Sequence, residues 1–132
     1  MCKANIIPFQ FRQLFNNLIS NALKFSKAGT PPLITIQSRN IIGNPLNDEK
    51  LIPGKEYCHI TFTDNGIGFE PKFKDKVFEV FQRLNSKSEY AGTGIGLAIV
   101  KKIVGNHNGI INAVSELDKG VCFYIYIPAN LK

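Results

Sequence analysis

Residues 56–64, EYCHITFTD, alternate between apolar and polar side chains, a pattern that predicts a β-strand with one buried face. Cys58, Ile60 and Phe62 fall on one side of this strand. Asp64 has the same parity, so a carboxylate ends the strand on its apolar side. A carboxylate directed toward a core must find hydrogen-bond donors. The chain therefore needs a second layer over this face and donors close to Asp64.

The other periodicities supply that layer. A helix is predicted from about Phe9 to Phe25, ending before Gly29 and the Pro31-Pro32 pair, which cannot continue it. A strand, LITIQSRN, follows at 33–40, and shorter apolar repeats predict helices at 73–84 and 94–107. Two strands, GIINAVSE and GVCFYIYIP, joined by a turn at 118–120, close the chain. This order favours a two-layer α+β sandwich.

Length and composition indicate one globular domain over residues 1–132. Hydrophobic residues make up 44% of the chain and charged residues 20%, and no apolar run approaches the ~18 residues of a membrane span. No secretory signal is visible, so the cytosol is the expected compartment. The odd number of cysteines, without a C-x-x-C pair, argues against a disulfide framework or a zinc site.

The net charge of +6 permits an anionic ligand, but it equally fits a solvated basic surface. The Lys and Arg residues are scattered rather than clustered, which disfavours a nucleic-acid surface.

The first helix carries two asparagines beside its apolar face. On a helical wheel Asn17, Asn21 and Lys24 crowd into about 60° next to the buried stripe, whereas Asn16 lies on the outer side. Asparagine competes with the helical backbone for hydrogen bonds, so its use here needs a reason. A solvated flank is the simple interpretation, and a polar binding edge is the alternative.

Two glycine-rich stretches have the character of ligand-binding turns. In DNGIGF, Gly66 and Gly68 permit a close approach of a ligand to the backbone, and Asp64 could accept from the amino group of a purine. The alternative is a tight Asn-Gly turn with Asp64 bonded to its own backbone. In GTGIGLAIVKK, glycines precede a helix whose free N–H groups can hold phosphate, although a glycine hinge would have the same sequence. Its spacing is that of neither a dinucleotide fingerprint nor a P-loop.

In this order, four motifs resemble those of the catalytic ATP-binding domain of two-component sensor histidine kinases, in the GHKL superfamily. They are an N-type box (NNLISNALKF), a first glycine box (DNGIGF), an F box (FEVFQR) and a second glycine box (GTGIGL). The likeness runs from about Ile7 to Pro128 and is most similar to phytochrome-associated kinases. It implies a Bergerat-type α+β fold, with three helices on a mixed, mainly antiparallel sheet of about five strands.

The resemblance also implies a role for each matching residue toward ATP and Mg²⁺. Asn21 would supply its amide oxygen to Mg²⁺, and Asp64 would accept from the adenine amino group. Asn17 and Lys24 would lie along the phosphates, Phe25 near the base, and Arg83 at the γ-phosphate, so that Asn17, Lys24 and Arg83 form the catalytic set. The remaining nucleotide-binding positions are those of the two glycine boxes: Gly66, Gly68, Gly92, Thr93, Gly94, Gly96 and Leu97.

One position separates branches of the superfamily. ATP-hydrolysing members carry a glutamate four residues before the metal-binding asparagine, where it activates water. Asn17 occupies that position here, and an amide cannot accept the proton. The resemblance therefore implies a kinase that preserves ATP for transfer. The last hairpin lacks the first glycine and the hydroxyl that the family often has before Phe123, so a nucleotide contact from that turn is not expected.

The phospho-accepting histidine of the family has no counterpart here. His59 and His107 do not stand in a His-Glu or His-Asp motif, and they are interpreted as structural or surface residues. The resemblance implies a fragment of a longer sensor kinase, cytoplasmic, that does not phosphorylate itself alone. Its partners would be a His-bearing dimerisation domain of the same parent, itself soluble or membrane-attached, and a response regulator, with no nucleic acid and no membrane contact by this domain. The alternative is a nucleotide-gated pseudokinase without phosphotransfer.

Overall fold

The computed structural model describes residues 6–44, 50–68, 96–116 and 119–129. These residues form two helices and four strands, in the order α1 (Pro8–Lys24), β1 (Ile34–Ile42), β2 (Glu56–Asp64), α2 (Gly96–Asn106), β3 (Ile110–Glu116) and β4 (Gly120–Pro128). Their types and order agree with the prediction. The helix predicted at 73–84 lies outside the described residues.

The four strands form one sheet in the order β1-β2-β4-β3, and each neighbouring pair is antiparallel. Strands β3 and β4 form a hairpin, and β4 lies between β3 and β2. The expected α+β class is confirmed. The expectation of three helices on a mixed sheet of about five strands is not, because the part of the chain that the structure describes contains two helices, four strands and no parallel pair.

Both helices pack on one face of the sheet. The register places Phe62 opposite Phe123 and Ile60 opposite Ile125 at the centre of this face. The parity predicted for β2 is confirmed, since Asp64 is buried on the same side. The principal core consists of these side chains and the apolar stripes of the helices, including Leu14, Leu18, Ala22, Leu97, Val100, Ile103 and Val104.

The opposite face of the sheet is partly covered. Leu51, in the connection between β1 and β2, packs with Tyr57 and Tyr126 in a smaller apolar cluster. His59 is buried beside them and stacks on Tyr126, with ring centroids 4.3 Å apart. Burial lowers the pKa of the His59 imidazole. Of the two interpretations made from the sequence, structural or surface residue, the structural one applies to His59.

Helix α1 begins with Pro8, whose missing N–H costs nothing at that position, and ends with Lys24, whose charge favours a helix C-terminus. Helix α2 ends in a Schellman motif: the Gly109 N–H donates to the Val104 carbonyl, and the Asn108 N–H donates to Gly105, each at 2.9 Å. Asn108 has φ of 59°, a conformation that asparagine tolerates better than most residues. Within the described residues, no helix is long and apolar enough to cross a membrane.

The two helices meet where α1 begins and α2 ends. The Ile7 N–H donates to His107 Nε2 at 2.9 Å, and the Asn106 side chain donates to Gln10 at 3.4 Å. The helices therefore run in opposite directions, so the first turn of α2 is directed toward the C-terminal half of α1. This arrangement places the end of α1 and the beginning of α2 on the same side of the molecule.

The cysteine expectation needs a correction. Cys58 forms a disulfide, whereas Cys122 is a half-buried free thiol. An odd cysteine count argues against a framework of several bonds, but it does not exclude a single one.

Candidate functional site

Asp64 is the buried acid of the site. Its Oδ1 accepts from the Gly66 N–H at 2.8 Å, and its carboxylate also accepts from the Val121 N–H of the neighbouring strand. Burial raises the pKa of the Asp64 carboxyl above its ordinary value, and the two hydrogen bonds act in the opposite direction. The bond to its own turn is the one that the simpler interpretation of DNGIGF required. It leaves acceptor capacity, because a carboxylate offers about four lone-pair sites.

The turn after Asp64 is fastened to the end of α1. The Ile67 N–H donates to the Phe25 carbonyl at 2.9 Å. A Cβ on Gly66 would lie 2.6 Å from that same carbonyl oxygen, closer than real Cβ atoms approach. Only glycine permits this contact. Two stretches that are forty residues apart in the sequence are thus brought together at the site.

The flank of α1 leads to this contact. Asn17 and Asn21 are half-buried, Lys24 is exposed, and Asn16 is exposed on the outer side, as the helical wheel predicts. Asn17 also takes part in a hydrogen bond or another electrostatic interaction within the chain. The spacing of four and then three residues places the two amides and the ammonium along one line that ends at Phe25. The polar edge therefore adjoins the turn that contains Asp64.

The beginning of α2 supplies the third part of the site. Gly96 is the first residue of α2, and Leu97 is buried in the principal core. Because the two helices are antiparallel, the N–H groups of this first turn lie toward the later turns of α1. The other predicted residues of the second glycine box, Gly92, Thr93 and Gly94, and the F-box residue Arg83 lie outside the described residues.

Asn65 also holds the site, a role that the sequence reasoning did not assign. Its Oδ1 accepts from the Leu33 N–H at 2.8 Å, and its Nδ2 donates to the Pro31 carbonyl at 3.1 Å. This residue joins the α1–β1 connection to the end of β2. The available signal was the Asn-Gly pair, because an asparagine in a turn commonly bonds to backbone groups.

Gly68 and Gly120 form a second close contact between distant segments, also not predicted. Both have positive φ, 67° and 92°. A Cβ on Gly68 would lie 2.9 Å from the Gly120 carbonyl oxygen, and a Cβ on Gly120 would meet the Asp64 carbonyl oxygen. The last hairpin therefore supports the glycine turn. This role is separate from a direct nucleotide contact, which the sequence does not lead us to expect from the hairpin.

The donor set fits Mg²⁺ better than a transition metal. No group of three His, Cys, Asp or Glu that could hold a metal occurs within the described ranges. Mg²⁺ needs only one or two protein oxygens, because it keeps several waters and binds substrate phosphates. The amide oxygen of the half-buried Asn21 is a donor of this type.

Two cavities that are lined by described residues lie away from this site. One of about 250 Å³ is apolar and lies between the start of α1 and strands β1 and β2, where Phe11, Phe15 and Ile36 line it. A polar one, lined in part by Arg39 and His59, lies on the opposite face of the sheet. The candidate site is thus defined by the convergence of α1, the Asp64 turn and α2, with residues 69–95 outside the described part.

Comparison with known proteins identifies the family to which this layered α+β fold belongs. The chain belongs to the family described as histidine kinase-, DNA gyrase B-, and HSP90-like ATPase, which matches residues 7–131. It is homologous to the catalytic domains of sensor histidine kinases, including those of phytochromes. The family resemblance noted in the sequence is therefore confirmed.

Two of the curated relatives are a phytochrome and a phytochrome-like protein. The chain is 44% identical over 121 residues to cyanobacterial phytochrome A of Nostoc sp., covering 92% of this chain and 14% of that protein. It is 39% identical over 119 residues to the phytochrome-like protein Cph1 of Synechocystis sp., covering 90% of this chain and 14% of that protein. The chain thus spans only a small part of the length of these relatives.

Two solved structures have the same fold. The mycobacterial sensor histidine kinase MprB is 26% identical with a TM-score of 0.68, covering 93% of this chain and 72% of that chain. Full-length ShkA in complex with AMPPNP is 26% identical with a TM-score of 0.65, covering 90% of this chain and 21% of that chain.

Proposed function

We propose that this chain binds Mg-ATP and donates the γ-phosphoryl group to a histidine on a separate domain in two-component signalling. One observation carries the proposal: the Asp64 turn is hydrogen-bonded to the end of α1, through Ile67 and Phe25. This bond brings a buried acid, suited to an adenine amino group, beside the amides and ammonium of α1. The family membership and the complex of ShkA with an ATP analogue support the same ligand.

The residues would act by positioning and by charge. Asp64 accepts from the adenine amino group, and Phe25 lies near the base. Asn17 and Lys24 lie along the phosphates, where the Lys24 ammonium offsets their negative charge. In phosphoryl transfer the protein has little covalent chemistry to do, so such placement supplies most of the catalysis. Asn21 would hold Mg²⁺ through its amide oxygen, and the ion would supply positive charge next to the phosphates.

The side chain at position 17 sets what happens to bound ATP. A carboxylate there could take a proton from water, whereas the Asn17 amide cannot. We therefore propose slow hydrolysis and transfer to the His-bearing domain of the same parent protein, with a response regulator downstream. We also propose a cytoplasmic location, without nucleic-acid or membrane contact by this domain.

Nucleotide titration tests the binding proposal. We expect the wild-type chain to bind ATP in the presence of Mg²⁺, and Asp64→Asn to weaken ATP affinity by about tenfold or more, because an amide presents an N–H group as well as an oxygen to the adenine amino group. Thr63→Val is the matched control, since Thr63 precedes Asp64 in the strand but lies on the opposite face. Equal affinities of wild type and Asp64→Asn would remove the adenine assignment.

A transfer assay separates the kinase from its alternative. The chain is mixed with γ-labelled ATP and the His-bearing hairpin of the parent protein, with a His→Gln hairpin as the control. Label on the wild-type hairpin alone supports phosphoryl donation. ATP binding without label would instead indicate the nucleotide-gated pseudokinase.

A further inference from the structure

Ser115 lies in the same row of the sheet as Asp64. The register pairs Ser115 of β3 with Val121 of β4, and Val121 with Asp64 of β2. All three are buried on the helix-covered face. Two strand spacings separate Ser115 from Asp64, about 10 Å, so the two side chains do not need to touch to belong to one structural unit.

The Ser115 hydroxyl holds the hairpin that supports the acid. Its Oγ donates to the Gly120 carbonyl at 2.7 Å in a buried bond. Gly120 in turn packs directly on the backbone of Asp64. The next residue, Val121, donates its N–H to the Asp64 carboxylate. The hydroxyl thus fixes the peptide unit whose N–H is one of the two donors that orient the acid.

The same hydroxyl also supports the far end of the glycine turn. A Cβ on Gly68 would lie 2.8 Å from Ser115 Oγ, and it would also meet the carbonyl oxygens of Glu116 and Gly120. Gly68 therefore rests on three oxygens, a contact that its positive φ and missing side chain allow. The turn is held at two points, at Phe25 through Ile67 and at Ser115 through Gly68.

We infer that Ser115 is a positioning residue that sets the selectivity of this site for adenine over guanine, an inference that rests on the proposed function. Adenine presents an amino group where guanine presents a carbonyl, and a carboxylate attracts the first and repels the second. This discrimination depends on where the Asp64 oxygens lie. Without the Ser115 hydroxyl, the buried Gly120 carbonyl loses its donor, and both Gly68 and the Val121 N–H are free to shift.

The test compares three ligands on Ser115→Ala: ATP, GTP and tripolyphosphate, each with Mg²⁺. We expect ATP affinity to fall about tenfold, GTP affinity to stay the same or rise, and tripolyphosphate affinity to stay the same, because the phosphate edge belongs to α1 whereas Ser115 belongs to β3. A purely structural role would weaken all three together. Thr63→Val is the control, since it removes a hydroxyl that bonds to Cys122 Sγ at 3.3 Å on the opposite face.

The outcomes distinguish a failure of the proposed function from a failure of the inference about Ser115. If wild type does not bind ATP, the proposed function and this inference both fail. If wild type binds ATP and folded Ser115→Ala keeps the wild-type ratio of ATP to GTP affinity, or weakens all three ligands equally, only the inference fails. If Ser115→Ala does not fold, Ser115→Cys, which keeps a weak donor, is measured in the same way, and the same ratio decides.

Discussion

At the scale of single residues, the acid at the end of β2 sets the character of the site. Asp64 is 8% exposed, a costly position for a carboxylate, and two backbone N–H groups offset only part of that cost. When it is charged, a carboxylate in this position destabilises the folded chain. Its remaining lone pairs are available to a ligand. Perturbed acids of this kind cluster at functional sites, which fits the role proposed for Asp64.

The raised pKa of Asp64 predicts a pH dependence of stability. The folded chain holds this proton more tightly than the unfolded chain does, so the free energy of unfolding falls as pH rises from the ordinary value of 3.8 through the raised pKa. Asp64→Asn does not titrate and lacks this term. In urea unfolding over a pH series, we expect wild type to lose stability relative to Asp64→Asn as pH rises through this window. Parallel profiles would contradict the prediction, whatever constant offset separates them.

At the scale of elements, the two helices are joined by one histidine. His107 Nδ1 donates to the Ile103 carbonyl at 2.8 Å, and Nε2 accepts from the Ile7 N–H, an arrangement that requires the neutral tautomer with the proton on Nδ1. The edge of its ring also contacts Phe11, with centroids 4.8 Å apart. His107 therefore ties the start of α1 to the end of α2, at the opposite end of the helix pair from the candidate site.

Replacing His107 tests the strength of this connection. His107→Ala leaves the Ile7 N–H without its partner and opens space against Phe11, so we expect the free energy of unfolding to fall by about 2–3 kcal/mol. The control is Asn106→Ala, which removes an exposed bond to Gln10 at the same junction and is expected to cost no more than about 0.5 kcal/mol. Urea unfolding measures both, and similar small losses for the two variants would contradict a connecting role for His107.

At the scale of the whole molecule, the proposed ligand binds between layers that the fold already holds together. In this proposal its contacts come from α1, the end of β2 and the start of α2, and the last hairpin supports the acid, so binding stabilises the entire chain rather than one segment. The net charge of +6 favours an anion of any kind. Selectivity must therefore come from the base and from the metal.

Thermal unfolding with and without metal tests that binding. At an ATP concentration about a hundredfold above Kd, with Mg²⁺ present, binding adds about 2.7 kcal/mol, which should raise Tm by roughly 10 °C. EDTA should remove most of this increase, because the phosphates then lose their bridging cation. Asp64→Asn is the comparison, and a tenfold weaker affinity should leave it only about half of this increase. An equal increase with EDTA would argue against the assignment of Mg²⁺ to Asn21.

The sequence alone determined the local structure and one edge of the site. Backbone geometry fixes the periods of helix and strand. The approximate extent of α1, the parity of β2 and the placement of Asn17 and Asn21 beside the core therefore followed directly from the sequence. The first glycine box was interpreted as a purine-binding turn and the second as a phosphate-binding one. Both interpretations depended on the resemblance to the family as well as on the spacing of the glycines. The single disulfide at Cys58 had no local signal.

The tertiary structure decided what the local pattern could not express. The hydrophobic periodicity of the sequence does not predict that β4 lies between β2 and β3. It also does not predict that Gly68 packs against Ser115, or that Ile7 donates to His107, one hundred residues away. Such contacts form because buried donors and acceptors must find partners, and the packed layers fix which partners are near. The sequence determines that an acid, two amides and several glycines are present. The packing between distant segments determines how the acid is oriented.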